Sequence, residues 1–233
     1  MSKNYKWIGV AAGWMYGGPL GAFIGYQLGK YIGKGSQSKE TSFEMSLLIL
    51  ATMVIRVDGK IKKEELDCVR DFFINSFGTY KAEKYFKVFN EIKNQPLPSL
   101  RSVCLEINRQ VNHKSRLQII HFLFAIANSD GDLDKEEIII IKKIAQYFWI
   151  SEYDFNSIEA MFSKKQNLSS SYTILGISTS ATDVEIKKAY RKMVKKYHPD
   201  KLQGVGEDVV KMANEKFQSV KDAYDLIRKK RNI

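Results

Sequence analysis

The stretch that decides the fold runs from Thr182 to Lys201 and has the sequence TDVEIKKAYRKMVKKYHPDK. Thr182 and Glu185 have the spacing of a capping box, so we expect a helix to begin here and to run to about Tyr197. Its apolar residues recur at helical spacing on one face: Ile186, Ala189, Tyr190, Met193 and Tyr197. The opposite face carries the cations Lys187, Lys188, Arg191, Lys192, Lys195 and Lys196. The stretch therefore predicts an amphipathic helix with a strongly basic outer face.

A helical hairpin is predicted by the residues that follow this helix. Pro199 has no N–H and disfavours helical geometry at His198, so the chain must turn there. A second helix is expected from about Asp208. Its apolar residues recur at alternating spacings of three and four: Val210, Ala213, Phe217, Val220, Tyr224 and Ile227. Two helices with matching apolar faces and a loop between them favour an antiparallel pair.

Residues 172–233 resemble the J domain of the DnaJ family. The resemblance is carried by Leu175-Gly176 behind an aromatic residue, by the basic helix, by the loop His198-Pro199-Asp200-Lys201, and by Phe217-x-x-Val220-x-x-Ala223-Tyr224. In that family the loop and the basic face bind a DnaK-type chaperone and make it hydrolyse ATP. The resemblance therefore implies that His198, Pro199, Asp200 and the six cations bind a chaperone, with Asp200 paired to a chaperone arginine.

Two features of this region depart from most J domains. The loop 202–207 is longer than usual, and the usual fourth helix is reduced to residues 228–231. A Gly/Phe-rich region and a zinc-binding domain are also absent from the sequence. The resemblance thus implies a J domain without client-holding parts of its own.

Residues 42–163 are predicted to form a separate all-helical domain, because apolar residues recur at helical spacing and no alternating strand pattern occurs. The expected helices cover about 42–57, 62–76, 79–93, 98–110, 114–128, 134–149 and 152–163. Polar linkers are expected at 36–41 and 164–171, followed by a short apolar turn at 172–177. The whole chain is therefore expected to be all-α.

An internal repeat lies in this middle domain. Residues 55–66 match residues 127–138 at an offset of 72 positions. Each copy predicts a helix, an Asp-Gly turn with one buried apolar residue, and a second helix. The second helix has acidic residues in its first turn, where they complement the helix dipole. Asp134 and Glu137 have capping-box spacing. We expect two related helical hairpins packed into one bundle.

The repeated Asp-Gly-x-apolar-x-x-Glu pattern and the length of the region resemble the TerB-like domains, compact helical modules of tellurite-resistance proteins. Such domains have been linked to metal binding through acidic clusters, which makes Asp130, Asp132 and Asp134 weak candidates for a metal site. A calcium loop of the EF-hand type needs Gly at its sixth and Glu at its twelfth position, where Lys135 and Ile141 stand. We therefore favour a turn and a helix cap over a metal site, and expect no cofactor.

Composition narrows the possible functions. The net charge is +11, but residues 36–171 carry 19 basic and 18 acidic residues, so the excess lies at the two ends. This distribution argues against a nucleic-acid partner, because the basic residues that bind nucleic acid should be concentrated on one face of a folded domain. Cys68 and Cys104 lack metal-ligand spacing and are expected to be buried thiols in a reducing compartment. His113 and His121 lack a catalytic constellation and are expected on or near a packed helix, so the chain is not expected to be an enzyme.

Residues 1–35 predict a membrane anchor. Between Lys6 and Lys30 lie 23 uncharged residues, enough for a helix of about 34 Å against a hydrocarbon core of roughly 30 Å. Glycine occupies every fourth position: Gly9, Gly13, Gly17, Gly21, Gly25, Gly29 and Gly33. Such spacing lets a second backbone approach closely, which predicts a homodimer through the spanning helix.

Two other interpretations of this segment follow from its composition. A secretory signal peptide fits less well, because the apolar stretch is too long and no clear cleavage site follows it. A glycine-rich hairpin bent at residues 17–19 stays open as an alternative. The flanking lysines lean only slightly toward a cytoplasmic C-terminal side. The need of a J domain for an ATP-using partner gives the same orientation, with the short N-terminus outside.

The order of glycine-rich span, TerB-like domain and C-terminal J domain resembles the DjlA family, co-chaperones in the inner membrane of Gram-negative bacteria. The resemblance covers essentially the whole chain. It implies a single-pass inner-membrane protein whose cytoplasmic domains stimulate ATP hydrolysis by a DnaK-type chaperone. The alternative is a membrane scaffold or sensor, in which the TerB-like domain binds a partner or metal and the J domain only recruits chaperone.

Overall fold

The structure is a computed structural model, and it describes residues 39–162, 167–197 and 207–233. Within these ranges the chain is all-helical, as predicted, and contains no strand. The helices are α1 (Lys39–Ile55), α2 (Lys63–Phe77), α3 (Thr79–Ile92), α4 (Leu100–Gln110), α5 (His113–Ala127), α6 (Lys135–Tyr147), α7 (Glu152–Met161), α8 (Leu168–Leu175), α9 (Asp183–Tyr197) and α10 (Glu207–Arg231). All the helices expected between residues 42 and 163 are confirmed.

The predicted membrane anchor lies outside the described residues, and so do all the glycines of its four-residue repeat. The dimer expected through those glycines therefore stays a prediction. In the part of the chain that the structure covers, no helix combines the length and the apolar content needed to cross a bilayer.

The described part of the chain divides into two compact units, one that ends at Asn112 and one that begins at His113. The division falls between the two copies of the internal repeat, so each copy organises a unit of its own. Helices α5 to α7 share the second unit with α8, α9 and α10. The domain boundaries expected at 42–163 and 172–233 stay predictions.

The first unit is built around α1, whose side chains from 47 to 51 are at most 2% exposed. The helix is buried because it packs against both α3 and α4. A helix that is apolar all round is suited to such a central place. Its buried carboxylate, Glu44, accepts hydrogen bonds from Lys81 Nζ at 3.1 Å and from Tyr85 Oη, which compensate for the loss of water.

Both cysteines lie in this first unit and are thiols. Cys104 on α4 is buried, and burial raises the pKa of its thiol to about 12. Cys68 on α2 is half-buried. The raised pKa makes Cys104 a poor nucleophile at neutral pH, because the thiolate is the reactive form.

Helix α5 has the same central place in the second unit. Its side chains from 117 to 124 are all buried, and it packs against α6, α7 and α10. Phe124 packs against Phe155 and Phe162 with ring centroids 5.5 and 5.6 Å away. Helix α8 in turn contacts α7, α9 and α10. The packing therefore continues from the second copy of the repeat into the last three helices.

The two Asp-Gly turns of the repeat have the same geometry. Gly59 and Gly131 adopt φ angles of 77° and 82°, which residues with a Cβ rarely adopt. The carboxylates of Asp58 and Asp130 each accept a hydrogen bond of 2.9 Å from the backbone N–H two residues on. A short polar side chain that bonds its own backbone in this way stabilises a turn.

The acidic helices behind the turns also correspond. Glu65 and Glu137 are both 1% exposed, and each accepts a hydrogen bond from the backbone N–H three residues before it, at 2.9 and 3.1 Å. The two copies differ at the apolar residue between turn and helix. Leu133 is half-buried, whereas Ile61 is 39% exposed, so the prediction of a buried residue is wrong for the first copy.

Candidate functional site

The basic helix α9 begins at the predicted cap. The Thr182 N–H donates to Glu185 Oε2 at 2.7 Å, and the Glu185 N–H donates to Thr182 Oγ1 at 3.3 Å. This reciprocal pair is the capping box predicted by the sequence. The bonds from the backbone N–H and the hydroxyl of Thr182 favour the ionised carboxylate, so they lower the pKa of Glu185.

The side chains of α9 divide into a buried and a basic face. Ile186, Ala189 and Met193 are at most 8% exposed. Tyr190 stacks on Tyr224 of α10 with ring centroids 4.1 Å apart. The described cations of the opposite face are all exposed: Lys187, Lys188, Arg191, Lys192 and Lys195. The predicted division of this helix is therefore present in the structure.

The rest of the predicted chaperone-binding residues lie outside the described part of the chain. These are His198, Pro199, Asp200 and the side chain of Lys196; the side chains of Tyr197, Val210 and Ala213 lie outside it as well. Helix α9 does run to Tyr197, as predicted. The tripeptide thus follows the basic helix in the chain without an intervening residue.

Helix α10 forms the other half of the hairpin. Val220, Ala223 and Ile227 are fully buried, whereas Phe217 and Tyr224 of the predicted stripe are half-buried. The buried face of α10 therefore includes Val220 and Ile227 of the predicted stripe and is widened toward Ala223. The reason is that α10 packs against α5, α8 and α9, and not against α9 alone.

The end of α10 is tied to the start of α9 by Arg231. Its Nη1 donates to Ala181 O at 2.6 Å and its Nη2 to Thr179 O at 2.7 Å. The guanidinium also lies 3.4 Å from Asp183 Oδ1 and 5.3 Å from the centre of the Tyr172 ring. Its planar fork suits two carbonyls at once. The residues expected to be the remnant of a fourth helix are the last turn of α10, and no sequence motif indicates the role of this arginine.

A helix, α8, precedes the basic helix where the sequence predicts a linker and a turn. Asn167 Oδ1 accepts the Ser170 N–H at 2.7 Å and so caps the start of α8. The helix ends at Gly176, whose φ of 61° is left-handed. Ile174 and Leu175 are fully buried, which stabilises the helix. The serines conceal it in the sequence, since serine is a modest helix former that favours caps and turns.

Helix α7 contacts the end of α8 through two hydrogen bonds. Ser157 Oγ donates to Ile174 O at 2.7 Å, and Tyr153 Oη donates to Leu175 O at 3.0 Å. The Tyr153 ring lies against Gly176, where an added Cβ would be 1.9 Å from the ring. The Leu-Gly pair that carries part of the J-domain resemblance is therefore also a packing contact with α7.

A buried lysine connects α10 to α5. Lys216 is 0% exposed, and its Nζ donates to Leu117 O at 2.9 Å. His121 is 4% exposed and packs on Phe162, with ring centroids 4.8 Å apart. Burial, and then the positive charge of Lys216, lower the pKa of His121 well below its ordinary value. His113 and His121 both lie on α5, as expected.

The acidic residues considered for a metal site take part in the turn and the cap. The carboxylate of Asp130 accepts the N–H of Asp132, and the Asp134 N–H donates to Glu137. Within the described ranges, no three His, Cys, Asp or Glu side chains are grouped so that they could hold a metal ion. The observed bonds are those of the turn-and-cap interpretation.

Three family models match the chain in succession. The co-chaperone DjlA transmembrane domain matches residues 1–39, the tellurite resistance protein TerB matches residues 44–160, and the DnaJ domain matches residues 170–233. No solved structure matches this chain.

Curated relatives match nearly the whole chain. The co-chaperone protein DjlA of Coxiella burnetii is 27% identical, with 98% of each chain covered. That of Photobacterium profundum is 26% identical over 98% of this chain and 99% of the relative. The protein of the same name from Shewanella oneidensis is 27% identical over 83% and 71%.

The hairpin with its basic helix and the DnaJ match define the class, a J-domain protein. The TerB match covers half of the chain and gives its middle part. Together with the match at residues 1–39 and the relatives, these findings show that the chain belongs to the DjlA family of co-chaperones, as the sequence predicts. The match at residues 1–39 also supports membrane anchoring.

Proposed function

We propose that this protein is a membrane-anchored regulatory co-chaperone that stimulates ATP hydrolysis by a DnaK-type chaperone. The observation that carries the proposal is the exposed basic face of α9. The other face of the helix is packed against the core, so the cations point to solvent and are available to a partner. The DnaJ-domain match and the name of the relatives support this role.

The basic face would bring the chaperone to the protein. Five described cations share the face, and the acids of the helix, Asp183 and Glu185, lie in its first turn. A surface of one charge steers a partner of opposite charge and accelerates its association, an effect that falls as salt is added. We therefore expect the partner surface to be acidic and the stimulation to weaken at high ionic strength.

The loop that follows the helix would then act on the chaperone. Asp200 would pair with a chaperone arginine, and such a charge-assisted bond can bias an element that has two states. The co-chaperone itself contributes no group that touches ATP. It raises the rate by shifting the conformation of the enzyme it binds.

We place the protein in the bacterial inner membrane, with one span in residues 1–35, a short N-terminus outside and the helical units in the cytoplasm. The match to a transmembrane domain over residues 1–39 supports the membrane anchoring, and the need of a J domain for an ATP-using partner is the reason for the orientation. The glycine face would hold two copies together. Gly17→Ile with Gly21→Ile should abolish crosslinked dimers in membranes, and dimers that persist would point to another interface.

The test of the function uses the full chain in lipid nanodiscs and measures single-turnover ATP hydrolysis by a purified DnaK-type chaperone. We expect stimulation by the unmodified chain and none by His198→Gln. The triple variant Lys187→Ala, Lys188→Ala, Arg191→Ala should need a higher concentration for the same stimulation. Lys143→Ala on α6 removes an exposed lysine far from this helix in the chain and serves as the control.

Two outcomes would contradict the proposal. Equal stimulation by His198→Gln would show that the loop does not act on the chaperone. Binding of the chaperone without any change in ATP turnover would favour the scaffold or sensor instead.

A further inference from the structure

We propose that the J domain acts while locked onto helices α5 and α7, with Ser157 and Lys216 as positioning residues that fix the direction of its basic face. The inference rests on the proposed function and deepens it. It treats the J domain as part of a larger rigid unit and not as a module on a flexible tether.

The first support is a shared core. Ala160 of α7 is 8% exposed and belongs to the same buried cluster as Tyr172, Ile186 and Val220, and Met161 packs against that cluster. The helices of the J domain therefore do not close their core alone. Apolar surface that is buried between two elements favours their association, so α7 is held to the hairpin by the core itself.

The second support is the way in which α7 caps α8. The last carbonyls of a helix have no partner within it. At the end of α8, two such groups, Ile174 O and Leu175 O, accept hydrogen bonds from Ser157 Oγ and Tyr153 Oη. Because directional bonds to backbone atoms need a defined geometry, these contacts specify an orientation as well as proximity.

The third support lies on another element, α10. Lys216 is fully buried and bonded to Leu117 O of α5. Taking an ammonium group out of water is costly unless it is hydrogen-bonded, and any displaced arrangement of α10 would break this bond. The lysine therefore disfavours alternative positions of α10 on α5.

The basic face stays accessible in this arrangement. The main contacts with α5 and α7 are made by α8 and α10, while the described cations of α9 are exposed. Lys192 lies at the border, with its Nζ 5.8 Å from the centre of the Tyr153 ring. The chaperone can thus reach the basic face without release of the J domain, and the locked form is the working form.

Pulsed EPR between two spin labels tests the lock directly in the full chain in nanodiscs. Lys143→Cys on α6 and Lys221→Cys on α10 place the labels at exposed positions. Cys68→Ala removes the half-buried thiol, and Cys104 stays because it is buried. We expect one narrow distance distribution that does not change when ATP and excess DnaK-type chaperone are added.

Two results of this measurement would overturn the proposal. A broad distribution in the protein alone would show a tethered J domain. A distribution that broadens or shifts when chaperone and ATP are added would show that the J domain must leave α5 and α7 to work.

A matched set of variants tests Ser157 as a positioning residue. Ser157→Leu forces a larger side chain into a fully buried place, so the distribution should broaden. The co-chaperone concentration for half-maximal stimulation should rise roughly threefold or more, because a preorganised orientation is lost. Ser157→Ala leaves the space but removes the hydrogen bond to Ile174 O, so it should broaden the distribution less than Ser157→Leu does. Asn156→Leu at the exposed neighbouring position should keep both properties.

Hydrogen exchange separates positioning from unfolding. Amides of α9 and α10 should stay protected in Ser157→Leu. If they do not, Tyr153→Phe, which removes the bond to Leu175 O and keeps the ring near Gly176 and Lys192, takes its place with the same expected results. A variant that unlocks the J domain and still stimulates like the unmodified chain would overturn the proposal. A chain with a narrow distribution and no stimulation would refute the proposed function alone.

Discussion

The two central helices, α1 and α5, occupy corresponding places in the repeat but have different buried pairs one turn apart. At the offset of 72 residues, Met45 and Ile49 of α1 correspond to Leu117 and His121 of α5. The first pair is apolar and 0% exposed. In the second, a buried imidazole follows the carbonyl that accepts the bond from Lys216.

The difference shows that two copies of the same helical hairpin have different packing partners. The turns of the two copies have the same geometry, and so do the backbone bonds at their helix caps. They therefore explain why each unit contains a similar helical hairpin. They do not explain why α10 packs on α5. That contact depends on a lysine that lies 99 residues away from its carbonyl partner in the chain. In the second copy, buried polar groups such as Lys216 connect α5 to the C-terminal helices.

The largest expected effect tests whether the two units are separate. Phe73 and Phe124 are both 0% exposed and packed among aromatic rings, one in each unit. We expect Phe73→Ala and Phe124→Ala each to lower the free energy of unfolding of their own unit by about 3–5 kcal/mol. Hydrogen exchange read helix by helix measures this. An equal loss of protection in both units from either variant would contradict the division.

Lys216 gives the next largest effect. Lys216→Ala should lower the free energy of unfolding of the second unit by about 2–4 kcal/mol, because it leaves a cavity and removes a buried bond. Lys216→Met keeps the volume of the side-chain stem and should cost less. Lys221→Ala on the exposed side of α10 is the control, with a change within about 0.5 kcal/mol. Urea unfolding measures the free energy of unfolding of all three variants. Equal values for Lys216→Ala and Lys221→Ala would show that buried Lys216 does not stabilise the second unit.

Local periodicity in the sequence was enough to predict most of the helices and their buried faces. The helices up to α7 and the faces of α9 follow from apolar residues at helical spacing, and the cap at Thr182 follows from its partner three residues on. Helix α8 was missed because its serines are typical of linkers. The burial of Lys216 was missed because a lysine on an amphipathic helix indicates a solvent-facing position. Contacts such as Ser157 with Ile174 join separate elements, and no local pattern encodes them.

The histidine of the second copy should make that unit sensitive to pH. Since burial lowers the pKa of folded His121, the folded state holds it neutral, whereas the unfolded state gains a proton below its ordinary pKa of about 6.5. This contribution to stability is therefore present above about pH 6.5 and is lost as the pH falls below it.

The variant His121→Ile makes the second copy like the first at this position and removes the titrating group. Between pH 7.5 and 5.5 the unmodified chain should lose about 1 kcal/mol more of the free energy of unfolding than His121→Ile. Urea unfolding of both proteins at the two pH values measures the difference, and all other titrating groups are common to both. An identical loss in the two proteins would show that His121 does not distinguish the copies.

The smallest expected effect concerns the helix caps of the two copies. Lys62 and Asp134 precede α2 and α6 with the same extended backbone, at ψ angles of 148° and 146°. An ammonium group has no lone pair to accept a hydrogen bond, whereas a carboxylate can accept the orphan N–H groups of the first turn. The carboxylate also complements the positive end of the helix dipole. Both copies have the bond from the backbone N–H at the cap to Glu65 or Glu137, and only Asp134 carries a side chain that is able to accept the reciprocal bond.

Exchanging the two caps tests this explanation. Lys62→Asp should raise the free energy of unfolding of the first unit by about 0.5–1 kcal/mol, and Asp134→Lys should lower that of the second by about 1 kcal/mol. Hydrogen exchange of α2 and α6 reads the two changes separately. Lys63→Asp, one position into α2 and exposed, controls for the added negative charge alone, because a side chain there is past the cap position. If both exchanges changed stability in the same direction, the difference in capping would not be what separates the two copies.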